Sequence, residues 1–470
     1  MPNTYQLSIT ELAETIQQGR LTAAEVAQAF IDRIQAINPI INAVQQFNPA
    51  QILEKARQAD ESLRNGDCLG RLHGVPITLK DTCHIKGFDC SKGFPGFLAD
   101  ESTYDATVVS RLKSEGAIIL GITNVPELLI SYETDNLIYG RTNNPYDLNR
   151  TPGGSSGGEA AIIAAAGSPG GIGSDAGGSV RQPAHYCGIC SHKPTHGLVP
   201  LTGNYPYDSS GLVTKILHFG PMSRHVEDLE LLMEIISGSD GIDPHVPQQG
   251  FKKSQQTNLG NLRVAYFYHN DQTQACTDTI KTIDRDVEML KPIVSTIQQA
   301  YPAPLKDTYK LHWETFVLGG DQGQAIQQLF ANYGQEQMAH LTQGFMDRAV
   351  RCVFSIQEMR KRLYEVEQYR FEMMRFMKDY DVIISPVAAT PARRHGETHD
   401  HLYDFSYVQA HNLTGWPATV IPCGQTQQGL PIGIQIAATP WNDPICLAIA
   451  KKLQTLLSHF PLPDFNRQEA

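Results

Sequence analysis

The sequence has no apolar run approaching the roughly 20 residues that cross a bilayer as a helix, so no integral membrane span is expected. Basic residues are dispersed. None of their clusters exceeds short pairs such as Lys252-Lys253 and Arg393-Arg394, and the formal net charge is −11. That balance argues against nucleic acid or an anionic membrane as the main partner. The nine cysteines are odd in number and scattered, and the start, Met1-Pro-Asn-Thr-Tyr5, lacks a charged n-region and an apolar h-region. A reducing, cytoplasmic setting is the expectation. Cys187-x-x-Cys190 has no second pair at metal spacing, and His395, His399 and His401 fall on a polar loop, so neither group predicts a metal. No Gly-Lys-Ser/Thr follows the glycines, which excludes a phosphate-binding loop. What remains is an ordinary globular balance, 41% hydrophobic and 19% charged over 470 residues, enough for one large core or for several average domains.

The informative stretch runs from Gly153 to Ser179. Gly153-Gly-Ser-Ser-Gly-Gly-Glu159 precedes a small apolar run, Ala160 to Ala166, and a second glycine-rich passage, Gly170 to Ser179, follows. Ser156 and Glu159 have capping-box spacing, which predicts a helix from about Gly157 to Ala166 with Gly167 ending it. Its alanines predict close packing. Ser155 would then lie just outside a helix N-terminus, where free N–H groups favour developing negative charge. Gly177-Gly178 before Ser179 lets successive amides face one concavity, the requirement of an oxyanion hole. Two turns whose serines merely cap helices are the simpler alternative. Two such clusters around one helix, the second bracketed by Asp175 and Arg181, favour a site. Gly153-x-Ser155-x-Gly157 also fits a nucleophile elbow, but that needs a strand leading into the serine. Asn149-Arg-Thr-Pro152 reads as a turn.

Elsewhere the pattern is that of an α/β protein. Ser8-x-x-Glu11 and Thr22-x-x-Glu25 predict two capped N-terminal helices, with a third over about 49–64. Val75, Ile77 and Leu79 alternate as a strand does and put Thr78 and Lys80 on the other face. A helix over 105–115 and a strand over 117–123 follow, which implies a buried sheet with helices on both sides. Further expectations are a helix at 226–236, a surface loop at 238–261, a strand at 262–268 and a helix at about 273–299. A helical tract at 310–378 comes next, then strands at 381–386, 419–422 and 432–436 and a last helix near 444–457. Lys80 ends an interior strand, where lysine is rarely buried unless paired. It is either the partner of Asp81 or a desolvated, neutral amine suited to general-base work.

The stretch Gly153 to Ala184, continued by Cys187-Gly-Ile-Cys190 and Lys193-Pro-Thr195, resembles the signature of the amidase signature family of serine hydrolases. The family's other landmarks occur in order: Gly74-Val-Pro-Ile-Thr-Leu-Lys80-Asp, Thr123-Asn-Val-Pro126, Asn412-Leu-Thr-Gly-Trp-Pro417 and Gly429-Leu-Pro-Ile-Gly-Ile-Gln435. The resemblance implies an α/β fold, a large mixed twisted β-sheet covered by helices on both faces. It also implies one domain over 1–470, with the N-terminal helices at about 8–64 packed on the core. It makes Ser179 the nucleophile, Ser155 a bridging serine held by a cis peptide bond and Lys80 the base. Amides of Ala176, Gly177, Gly178 and Ser179 would form the oxyanion hole. Ser156, Asp175 and Arg181 support the loop, and Leu129 and Ser131 lie in the family's substrate-channel segment. The expected reaction is hydrolysis of a small-molecule carboxylic amide, with esters left open, using no cofactor or metal. A homodimer is left open as the assembly.

Two classes compete within the family. Ser155-Ser-Gly-Gly-Glu159, Gly188-Ile-Cys190 and Tyr139-Gly-Arg-Thr-Asn-Asn-Pro145 resemble fatty acid amide hydrolase-like amidases, which act alone. The other class is the glutamine-hydrolysing component of a tRNA-dependent amidotransferase complex. Its members carry an acidic residue seven positions before the equivalent of Asn412, where this sequence has Phe405, with Asp404 beside it. A strand through 404–405 would point the two side chains to opposite faces. The sequence therefore favours an apolar acyl amide.

Overall fold

The computed structural model describes residues 3–98, 101–205, 211–248, 250–251, 257–457 and 460–465. Position 249 and positions 252–256 of the loop expected at 238–261, with the Lys252-Lys253 pair, lie outside the described residues. Eleven strands form one sheet among the described residues. In chain order they are β1 (Val44–Gln46), β2 (Pro76–Lys80), β3 (Ile118–Thr123), β4 (Gly170–Asp175), β5 (Cys190–Lys193) and β6 (His218–Ser223). Then come β7 (Arg263–Tyr266), β8 (Thr296–Gln299), β9 (Val382–Pro386), β10 (Ala418–Gln425) and β11 (Pro431–Ala438). Their spatial order is β1-β3-β2-β4-β6-β5-β10-β11-β9-β7-β8. β2 runs parallel to β3 and β4, and β7 parallel to β8 and β9, while the other pairs are antiparallel. The sheet is therefore mixed.

Every residue of β2, β3, β4, β6, β9 and β11 is buried. Since successive side chains alternate faces, both faces are covered. Near β9 the two layers separate cleanly. Val382 and Ile384 join Val264, Ile434 and Ile436 in one apolar cluster, while Ile383 joins Ala265, Met373 and Trp416 in another. The N-terminal helices Ile9–Gln17 and Ala23–Ile41 both have complete capping boxes, from Ser8 and Glu11 and from Thr22 and Glu25. The second packs Val26, Phe30, Ile34 and Ile37 into the main core, each worth about 1.5–3 kcal/mol relative to exposure.

Two expectations change, and one passage the sequence left unassigned is a strand. The helix expected to reach 299 is Thr277–Leu290, and Thr296–Gln299 is instead β8. Pro292 follows the helix at once, and the β-branched Val294, Thr296 and Ile297 suit a strand. The glycine-rich passage at 170–175 is a central strand, despite glycine's low β-propensity. A Cβ at Gly171 would sit 2.2 Å from Glu159 Oε1, and one at Gly173 would sit 2.7 Å from Ser156 Oγ. At 171 glycine admits the Thr78 backbone carbonyl, 2.1 Å from such a Cβ, as well as the buried Glu159 carboxyl. Finally, no capping box forms at Gly157–Ala164, because Ser156 caps nothing and Glu159 is turned into the core.

Candidate active site

Four chain segments converge at the C-terminal ends of β2 and β4. Lys80, the last residue of β2, is completely buried. Its ammonium nitrogen donates to Ser155 Oγ at 2.7 Å, to Ser174 Oγ at 3.0 Å and to the Ser174 carbonyl at 3.2 Å. No ion pair with Asp81 forms. That carboxylate accepts from Ser91 instead. Burial pushes Lys80 down to about 7, against the opposing pull of Asp175, Glu159 and Asp81. Glu159 is held by Thr78 Oγ1 at 2.6 Å and Thr123 Oγ1 at 2.8 Å, and burial pushes its carboxyl up to about 7. Desolvation thus favours the neutral amine over the ammonium.

Ser155 follows a cis peptide bond from Gly154. Glycine is required at 154, because a Cβ there would lie 2.3 Å from the Glu133 carbonyl and 2.6 Å from that of Ser131. Ser131, in the expected channel segment, therefore packs directly behind this turn. Leu128 and Leu129 have φ of +54° and +64°. That turn buries Leu128 among Phe94, Phe97 and Phe330 and leaves Leu129 half-exposed. Unusual backbone of this kind clusters at functional sites.

Ser179 sits between β4 and the short helix Arg181–Cys187, half-exposed, and among the described residues its hydroxyl has no hydrogen-bond partner. Its carbonyl accepts from the Ser156 amide at 3.1 Å, which ties the two glycine-rich turns together. Ser156 Oγ donates to the Ser174 carbonyl at 3.3 Å. Asp175 shapes the loop. Its carboxylate accepts from the amides of Gly178 and Val180 and from Asn412, and forms a fully buried, two-pronged ion pair with Arg181 at 3.0 Å. Burial works to raise this carboxyl, but Arg181 and the donated hydrogen bonds outweigh it and hold it well below the carboxylate range. Arg181 also reaches the Val408 carbonyl, Gln435 and Asn412, which brings the two late landmarks to the loop.

The expected set of four oxyanion amides needs correction. The Gly178 N–H is already spent on Asp175 Oδ1 at 2.7 Å. Those of Ala176, Gly177 and Ser179 make no hydrogen bond among the described residues.

Several residues here carried no signal in the sequence. Tyr132, His312 and Gln409 come from distant segments, and His312 lies in the least patterned tract. His185 and His192, which flank the signature, are committed elsewhere. His185 bonds the Thr390 carbonyl and the Gly433 amide, and His192 lies between Thr419 and Asp443. No group of three or more His, Cys, Asp or Glu residues among the described ones is placed to hold a metal. Cys187 and Cys190 are free thiols, as are the other seven cysteines.

Residues 404–405 close a 3-10 helix, Thr398–Phe405, and not a strand. Asp404 is nevertheless diverted, paired with Arg393. Phe405 is fully buried and stacks on Tyr132 with ring centroids 3.9 Å apart. Among the described residues no helix is long and apolar enough to cross a membrane.

A sequence profile of the Amidase family matches residues 25–447. Human fatty-acid amide hydrolase 2 is 31% identical over 490 residues, covering 97% of this chain and 90% of that one. The A component of the glutamyl-tRNA(Gln) amidotransferase of Fusobacterium nucleatum is also 31% identical, over 507 residues and 99% of both chains. The solved structure of a 6-aminohexanoate cyclic dimer hydrolase superposes with a TM-score of 0.86 at 26% identity, over 99% of each chain.

Proposed function

Because this chain belongs to the amidase signature family and is an amide hydrolase, we propose that it works through a Ser179–Ser155–Lys80 relay and an acyl-enzyme. The observation that carries this reading is the 2.7 Å contact from the buried Lys80 Nζ to Ser155 Oγ. Neutral Lys80 accepts the Ser155 proton as Ser155 takes that of Ser179. Ser179 Oγ then attacks the substrate carbonyl carbon, and the C=O π pair moves onto oxygen. Amides of Ala176, Gly177 and Ser179 receive that charge, with removal of one such donor worth about 10²–10³ in rate. As the tetrahedral intermediate collapses, Lys80 returns the proton through Ser155 to the departing amine nitrogen. Water then repeats the sequence on the acyl-enzyme, releasing the acid. Ser179 must rotate to within reach of Ser155 Oγ, and such contacts often tighten only with substrate bound.

The substrate in this reading is an amide with an apolar acyl part, taken by the chain acting alone. Its support is Phe405, buried against Tyr132 where the glutamine-using relatives carry an acid, and Asp404, neutralised by Arg393. A free amino acid would bring two charges that need buried partners. The reading takes residues 1–470 as one amidase domain; its support is the family match over residues 25–447 and the eleven-stranded sheet among the described residues. The test compares the purified chain on glutamine and on a medium-chain acyl anilide. Turnover of the anilide is expected. Glutaminase activity without anilide turnover, rising when the other components of an amidotransferase complex are added, would move the assignment to the amidotransferase class.

A further inference from the structure

Two buried side chains have no part in the proton transfers above. His312, in the π-helical stretch Lys310–Val317, places Nε2 2.7 Å from the Ala176 carbonyl oxygen. The Tyr132 hydroxyl donates to the Gly177 carbonyl at 2.7 Å. A carbonyl offers no proton, so the His312 proton resides on Nε2, and Nδ1 is buried without a partner. Burial pushes this imidazole down to about 4, against its bond to Ala176 and the nearby Asp175, so it adds no charge beside the loop at neutral pH.

A trans peptide points its C=O and N–H in opposite directions, and among the described residues the cis bond is Gly154–Ser155, outside this loop. The donor on Ala176 C=O therefore aims the Gly177 N–H away from His312. The donor on Gly177 C=O likewise fixes the Gly178 N–H, which Asp175 receives. The Gly178 carbonyl accepts from the Gln182 amide at 2.7 Å, which sets the Ser179 N–H in the same way. Glycine is needed at 177 because the two side chains close on it: a Cβ would come within 2.8 Å of His312 Cε1 and 3.2 Å of the Tyr132 hydroxyl. Tyr132 is itself held by Gln409 Nε2 at 3.0 Å and by the Phe405 ring.

We infer that His312 and Tyr132 are positioning residues for amide hydrolysis: the His312 bond to the Ala176 carbonyl holds the Gly177 amide aimed at the developing oxyanion, and the Tyr132 bond to the Gly177 carbonyl anchors the next peptide plane, whose N–H goes to Asp175. The inference rests on the reading of Ser179 as the nucleophile. Neither side chain touches the reacting atoms.

The test uses the full chain with His312→Phe, His312→Gln, Tyr132→Phe and Ser179→Ala. The first removes the donor but fills its space, and the second restores a donor near the position of Nε2. Each is assayed on an acyl anilide and against two inhibitors, an alkyl trifluoromethyl ketone that binds as a tetrahedral adduct and the matching methyl ketone, which binds mainly as the ketone. His312→Phe should lower kcat roughly 10- to 100-fold, less than outright loss of a donor, with KM within about twofold. The trifluoromethyl ketone should weaken in proportion and the methyl ketone should not. His312→Gln should recover most of the loss, and Tyr132→Phe should show the same split at smaller size. An unchanged kcat, a rise confined to KM, or a lowered kcat with undiminished adduct affinity would overturn the inference. If His312→Phe does not fold, Tyr132→Phe, which loses a single oxygen, decides the matter by the same criteria. Activity persisting in Ser179→Ala would instead bring down the nucleophile assignment on which the inference stands.

Discussion

Replacing Lys80 with methionine should inactivate the enzyme and stabilise its fold. Lys80 is fully buried, and burial pushes it from 10.5 down to about 7. An unfolded chain at pH 7 carries this lysine charged, so folding must either desolvate the ammonium or strip its proton. At 1.36 kcal/mol per pKa unit, the penalty at pH 7 is about 5 kcal/mol. Methionine removes that penalty at similar volume. It also removes the three hydrogen bonds to Ser155 and Ser174, worth about 1 kcal/mol each. The expected net gain is therefore about 2 kcal/mol at pH 7. The sign with pH follows from proton binding. Between about 7 and 10.5 the unfolded wild-type chain holds more protons than the folded one, so wild-type stability rises with pH and the variant's advantage fades. Denaturant unfolding at pH 7 and pH 10 reads this out: Lys80→Met more stable at the lower pH, and no more stable at the higher. A variant less stable at both pH values would show that the lysine is not desolvated as the structure implies.

A fluorophosphonate probe should label Ser179 and neither Ser155 nor Ser156, as read by peptide mapping. A label on Ser155 would refute the assignment. As the proposed base, Lys80 acts only when neutral, so wild-type turnover and labelling should fall about tenfold per pH unit below about pH 7. Near-normal labelling of Lys80→Met would mean that another base exists. Arg181→Leu should destabilise the protein by about 3–5 kcal/mol in denaturant unfolding, because it leaves Asp175 buried and unpaired. A loss under about 1 kcal/mol would show that Asp175 does not depend on Arg181.

Much of this was legible in the chain because its signals are local. The capping boxes at Ser8 and Thr22, the alternation through β2 and the glycines around Ser155 and Ser179 are set by near neighbours, and the structure follows them. The Ser156–Glu159 spacing looks identical to a capping box but is not one. Glu159 is drawn into the core by Thr78 and Thr123, and Gly171 of β4 leaves it room. A one-dimensional pattern cannot separate a cap from a buried carboxyl. Likewise, Pro292 marks a helix end locally, but that Thr296–Gln299 then pairs with β7 is a matter of sheet edges.

By itself the sequence determined the family, through landmarks that occur in order along the chain, and by that resemblance it pointed to Lys80, Ser155 and Ser179 and to the Asp175–Arg181 pair. Only the tertiary structure decided which amides remain open: Asp175 is three residues from Gly178, but Arg181 and the distant Asn412 hold the carboxylate that takes the Gly178 N–H. It alone decided that Lys80 bonds Ser155 and Ser174 and not Asp81. It also brought Tyr132, His312 and Gln409 to the loop from three separate segments. Burial and the direction of a peptide plane arise from contacts between residues far apart in the chain, and no local pattern records them.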